Sequence, residues 1–189
     1  MFYDNWKKFY FYFGLATLFS AFGHLFYNYF HFYGKIPGWI LIPFSIYWIE
    51  RAMLSAHPNE KVKKKAELLF LMKLMAVYLT CFVVYLLINP LENPQLLFLP
   101  IAINTIVGLV SAVGIYSYKF SKEISSGFKT ILLGIVVIFP SAFIFIFKIN
   151  LHPWFSKNDF SHLLMIFGIV IFFVGVKKLY KEKLFLAKK

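Results

Sequence analysis

The chain has 189 residues, 60% of them hydrophobic and 22% aromatic, with a mean hydropathy of +0.71. Soluble domains hold about 45–50% apolar residues, so a water-soluble fold is excluded. The formal net charge of +12 sits at the ends of apolar runs and not along one soluble face, which argues against a nucleic-acid surface and for membrane anchoring.

A span needs about 20 apolar residues to cross a hydrocarbon core of about 30 Å, so six spans and short loops use nearly all of the length. Six apolar runs follow one another: Phe9–Phe30, Pro37–Ala56, Ala66–Ile88, Gln95–Tyr118, Ser126–Ile149 and Asp159–Tyr180. The first follows Lys7 and Lys8 as a signal peptide would, but it continues for about 22 residues without a small-residue cleavage site and reads as a retained span. Gly34-Lys35-Ile36-Pro37 is a tight turn, and Asn89-Pro90-Leu91-Glu92-Asn93-Pro94 cannot continue a helix because proline lacks the amide donor. Cys81 is the only cysteine and lies in an apolar run, where it packs; a disulfide within the chain is excluded.

The expected fold is therefore all-α: a single transmembrane domain over residues 1–189, a bundle of about six helices. Of the 20 basic residues, sixteen fall at Lys7-Lys8, Arg51–Lys65, Lys119–Lys129 and Lys177–Lys189, and three (Lys35, Lys148, Lys157) at the alternate joints. The side with the excess is cytoplasmic, which predicts an inner-membrane protein with both termini in the cytoplasm. Membrane lipids are the expected partners, and the basic tail from Lys177, with Leu179, Leu184, Phe185 and Leu186 interspersed, suits an anionic lipid surface. Glu50, Arg51 and Lys73 read as anchoring groups near the inner rim, with Lys73 snorkelling back toward water.

Polar side chains within hydrocarbon are costly, so each needs a reason. On the first run Ser20, His24, Asn28 and His31 fall at i, i+4, i+8 and i+11, one stripe of a continuous helix that runs toward the outer face. Asp159 and His162, three apart, open the sixth run at the same face, while Asn104 and Ser141 fall at comparable depth and His152 lies in the outer loop. The expected pocket gathers these nine residues. His24, His162 and Asp159 suit zinc as an expected cofactor, because catalytic zinc takes about three His or carboxylate ligands and keeps a position for water. A structural tie between helices uses the same residue types.

Asn158-Asp159-Phe160-Ser161-His162-Leu163-Leu164-Met165, followed by Gly168, resembles the last-helix signature of a group of uncharacterised bacterial integral membrane proteins and, more distantly, of alkaline ceramidases. Those enzymes and the adiponectin-type receptors form a superfamily of membrane hydrolases with Ser-x3-His on an early helix and His-x3-His on the last. Ser20-x3-His24 matches the first motif; on the last helix His162 is present, whereas Asn158 stands at the other histidine position with Asp159 beside it. The family core has seven spans against six here. The resemblance implies a zinc-dependent amide or ester hydrolase of lipids, with His24 and His162 as ligands, Asp159 as ligand or base and Ser20 steadying an oxyanion. A non-enzymatic transporter, sensor or binding protein using the same cluster is the other reading open at this point.

The charge asymmetry makes a direct prediction. Reporters that are active only in the cytoplasm should be active when fused at either terminus and silent when inserted at Lys35; activity at Lys35 would invert the orientation.

Overall fold

The computed structural model describes residues 1–89, 92–147 and 149–186; Pro90 and Leu91 of the expected turn, Lys148, and Lys188 and Lys189 of the basic tail lie outside the described residues. Its elements are α1 (Phe2–Leu25), a short α2 (Tyr27–Phe30), a 3-10 turn (His31–Lys35), α3 (Ile36–Ser55), α4 (Glu60–Leu87), α5 (Pro94–Gly108), a π-helical stretch (Leu109–Ile115), α6 (Tyr116–Glu123), α7 (Gly127–Ile146) and α8 (Lys157–Leu186). Among the described residues no strand forms, and a single isolated bridge joins His152 to Phe155. The all-α expectation therefore holds.

Local chemistry sets the helix starts. Asn59 caps α4, its Oδ1 accepting from the amides of Lys61 at 2.9 Å and Val62 at 3.3 Å. Prolines in the first turns of α3 and α5 occupy positions where a missing N–H costs nothing. Ser125 Oγ accepts from the Gly127 amide at 3.0 Å where α7 begins.

Among the described residues four helices are individually long and apolar enough to cross a membrane: Glu60–Leu87, Gln95–Glu123, Gly127–Ile144 and Lys157–Glu182. The first two expected spans are helical as well, but they reach that standard only as a pair, Phe2–Leu25 with Tyr27–Ser55, bent by 81° at the break between them. α1 ends five residues before the expected Phe30: Phe26 leaves the helical region at φ −102° and ψ 26°, and His31 takes a left-handed φ of 48°. That φ is costly for a residue with a Cβ, and it turns the chain back on itself.

Contacts divide the chain into two compact units, Met1–Ala112 and Val113–Lys189, with the boundary inside the π-helical stretch. In the first unit α1 and α3 run antiparallel along their whole length. Asn5 Nδ2 donates to Ser55 Oγ at 3.0 Å at one end, Tyr12 and Phe44 meet edge to face at 4.6 Å in the middle, and Gly23 lies against Gly34 at the turn. Both glycines are needed for this approach, since a Cβ on Gly23 would stand 2.5 Å from the Gly34 carbonyl oxygen. Gly38 likewise rests on Ala16, where an added Cβ would come within 2.9 Å of its carbonyl oxygen. α4 and α5 pack on the other side of α3: Tyr78 donates to the Ile40 carbonyl at 2.7 Å, Trp39 meets Phe98 at 5.6 Å, and the Cys81 thiol reaches the Leu97 carbonyl at 3.8 Å.

In the second unit α7 and α8 form an antiparallel pair built on glycines spaced by seven. A Cβ on Gly168 would stand 3.0 Å from the Gly134 carbonyl oxygen, and one on Gly175 would stand 3.2 Å from that of Gly127. Phe172 fills the space over Gly134 and is fully buried. Lipid tails are as apolar as leucine, so helices in a bilayer gain little from hiding apolar surface from one another; small residues let the backbones approach and dispersion does the rest. The large apolar side chains accordingly point outward, among them Leu68, Leu69, Met72 and Met75 on α4 and Ile166, Phe167, Val170 and Phe173 on α8.

Gly23→Leu should destabilise the purified protein by more than the about 1–3 kcal/mol typical of overpacking, because backbone of Gly34 and Lys35 rather than a movable side chain blocks the added group. Gly14→Leu, where nothing lies within 4 Å of an added Cβ, should leave the melting temperature unchanged.

Candidate functional site

The most deeply embedded charges lie between α3, α4 and α5 in the first unit. Lys73 Nζ on α4 donates to Glu50 Oε1 on α3, and the pair is closed off by Gly108 on α5, where an added Cβ would fall 2.8 Å from Glu50 Oε1 and 3.2 Å from Lys73 Nζ. Glu50 is 1% exposed and its second oxygen, Oε2, meets no partner. Asn104 stands one helical turn before Gly108 on the same face of α5; it is 4% exposed, and neither its amide nitrogen nor its oxygen has a partner. Lys73 is the open side of the cluster, with 22% of its side chain exposed. Arg51 and Glu67 form a second ion pair between the same two helices, nearer the joint and more exposed.

Four features mark this place. A charge pair is held away from water, several buried polar atoms are left without partners, α5 is thinned by a glycine where the pair sits, and a π-helical stretch begins at the next residue, Leu109. π-helical turns are rare and concentrate at functional sites. Unpartnered buried polar atoms are uncommon in folded proteins and mark places where water, an ion or a ligand is taken up.

Glu50 and Lys73 thus pair with each other, and Lys73 points to Glu50 instead of snorkelling to the rim. The sequence signal was present as two opposite charges on consecutive antiparallel helices. It was obscured because Glu50 lies five residues from the end of α3 whereas Lys73 lies thirteen from the start of α4, so the two appear to differ in depth by about 12 Å at 1.5 Å per residue. The longer α4, 28 residues against 20 for α3, and the reach of the lysine stem close that gap.

The residues expected to line an outer pocket are placed as follows. Ser20 is half-buried, with its hydroxyl against Gly38, where an added Cβ would collide with it. His24 is exposed in the last turn of α1. The expected stripe does not continue, because Asn28 lies in α2 and His31 opens the 3-10 turn, both beyond the break and both exposed. Asn104 belongs to the α3–α4–α5 interior described above. In the second unit Ser141 is buried and its carbonyl accepts from Ser161 Oγ at 3.2 Å, tying α7 to α8. His152 is exposed, and its Nδ1 accepts from the Trp154 amide at 3.2 Å. Asp159 is a helix cap: its Oδ2 accepts from the Ser156 amide at 2.8 Å and the Ser156 hydroxyl at 2.7 Å, a capping box at the start of α8. His162, one turn on, is exposed.

The expected zinc ligands draw on both units, His24 from the first and Asp159 and His162 from the second. Within neither unit, among the described residues, do three His, Cys, Asp or Glu side chains gather closely enough to hold a metal ion.

Lys73→Met should destabilise the protein by about 3–5 kcal/mol, because it strands the Glu50 carboxylate in the interior. The double variant Glu50→Gln/Lys73→Met should recover most of that loss in detergent melting curves; a double variant as unstable as the single one would show that the pair is not the cause.

No curated protein matches the chain, and no solved structure matches it. A family model does match, over residues 1–181, nearly the whole length. The chain belongs to that family, a family of unknown function designated DUF6962.

Proposed function

We propose that the chain is a non-enzymatic inner-membrane protein, both termini cytoplasmic, that takes up and passes a proton at Glu50 within the α3–α4–α5 interior. The observation that carries this reading is the buried Glu50–Lys73 pair against Gly108, with Asn104, whose amide meets no partner, one helical turn away on α5. As a mere tie between helices the pair is a poor choice: replacing a buried ion pair with apolar residues of similar volume is often neutral or stabilising by about 1–4 kcal/mol. Ionisable side chains at membrane depth mark proton and ion paths. The antiparallel α1–α3 hairpin also supports the orientation, because it returns the chain to its starting side whether it crosses twice or enters and leaves the same face. Four further crossings then leave both termini together.

The lipid-hydrolase reading rests on Ser20, His24, Asp159 and His162 with zinc. It is weakened by the capping role of Asp159 and by the contact of Ser20 with Gly38.

In proteoliposomes with an entrapped pH dye and chloride on both sides, the wild type should dissipate an imposed pH gradient faster than lipid alone, and Glu50→Gln should abolish the excess. Equal rates for wild type and variant would sink the proton reading. Near-stoichiometric zinc in untagged protein, lost in His24→Ala and His162→Ala together with release of fatty acid from lipid, would move the function to the hydrolase.

A further inference from the structure

We infer that Glu50, Lys73 and Asn104 form a proton-linked site for a small monovalent anion, in which protonation of Glu50 frees the Lys73 ammonium to hold the anion together with the Asn104 amide. This rests on the proton reading above and names the second ligand of the same site.

Charge balance is the first argument. As it stands, the interior holds one negative and one positive group, Glu50 and Lys73. A proton added alone would leave the ammonium buried without a counter-charge, which costs several kcal/mol. A proton and an anion entering together leave the net charge unchanged: the carboxylate becomes a neutral acid by gaining an O–H bond, and the anion replaces it beside Lys73. No covalent bond breaks and no electron moves.

The geometry favours an anion over a cation. Glu50, which would have to receive a cation, is the closed side of the pair at 1% exposure, whereas Lys73 is the open side at 22%. Asn104 brings an NH2 group with both donors unused, suited to an anion, and an unused carbonyl oxygen able to accept from a protonated carboxyl. Gly108 contributes no side chain, which lets both charged groups lie close against the α5 backbone one turn from Asn104.

Several other charged and titratable groups on the elements around Glu50 are placed as follows. On α3, Arg51 pairs with Glu67 of α4. α1 brings Lys8, 4.1 Å above the Trp48 ring, and the phenol of Tyr10, and the 3-10 turn brings Lys35, 5.0 Å from the Tyr27 ring. His57, just past α3, accepts from the Asn59 amide at 3.1 Å, and α5 presents Asn104 and Gly108 to the pair but no charge. Lys73 is thus the positive group in hydrogen-bond contact with Glu50, and Glu50 is the group whose neutralisation releases it.

The test uses the full chain in lipid nanodiscs, with sodium chloride and sodium formate as probes and sodium gluconate as a bulky control. In weakly buffered solution, chloride or formate should raise the melting temperature and draw in about one proton per anion bound, while gluconate does neither. Glu50→Gln, which imitates the protonated acid, should bind the anion with no proton uptake and with the same affinity at acidic and neutral pH. Glu50→Gln/Lys73→Met should remain folded and bind none, and Gly108→Ala should weaken binding by crowding the pair. Proton uptake that needs no anion would overturn the anion site and leave the proton reading standing. Anion binding that survives in Glu50→Gln/Lys73→Met would place the ion elsewhere and overturn the site, and the absence of both proton uptake and anion binding would overturn the site and the proton reading together.

Discussion

An ionised side chain persists within a membrane only where an opposite charge and hydrogen-bonding groups replace the water it has left. Glu50 and Lys73 meet half of that requirement, since one carboxylate oxygen is bound by the ammonium and the other is not bound. The interior of the first unit is organised around this incomplete match. α3 supplies the acid, α4 the base, and α5 gives up a side chain at Gly108 so that both fit, with the unused amide of Asn104 one turn away. The rest of the unit holds these three helices at the spacing the pair needs.

That spacing comes from small residues. In water the hydrophobic effect would press helices together; in lipid, close approach of backbones must supply the attraction. Gly23, Gly34 and Gly38 bring α1 against one side of α3, while α4 and α5 occupy the other through Tyr78, Trp39 and Phe98. The second unit reaches the same end with Gly127 and Gly134 facing Gly175 and Gly168. In both units polar side chains add ties to the hairpins, Asn5 to Ser55 in one and Ser161 to the Ser141 carbonyl in the other.

Much of the fold was legible because apolar length and proline placement are local signals. α4, α5 with its π-helical and α6 continuation, α7 and α8 follow the expected runs closely. The first hairpin departed from expectation because its break lies in an aromatic-rich stretch, Phe26-Tyr27-Asn28-Tyr29-Phe30, with neither glycine nor proline between Gly23 and Gly34 to announce it; His31 takes the left-handed turn instead. The candidate site was harder to read. Spacing along one helix placed His24, Asn28 and His31 on a common face, but spacing says nothing once the helix ends at Leu25. Asp159 carried a readable signal, Ser-x-x-Asp ahead of an apolar run, and that signal is a cap. Of the residues singled out for the outer pocket, Asn104 alone lies in the interior cluster, and its partners became visible only when three helices were packed together.

The central claim is that Glu50 and Lys73 are in direct contact within the membrane, and solid-state NMR of the protein in lipid bilayers tests it most directly. With glutamate side-chain carboxyl carbons and lysine Nζ selectively labelled in a Glu60→Gln background, which removes the exposed Glu60–Lys63 pair, the account predicts a strong dipolar coupling at neutral pH that disappears on adding either Glu50→Gln or Lys73→Met. A wild type without that coupling, with a Lys73 amine as reactive toward a water-soluble acylating reagent as the lysines of the basic tail, would contradict it.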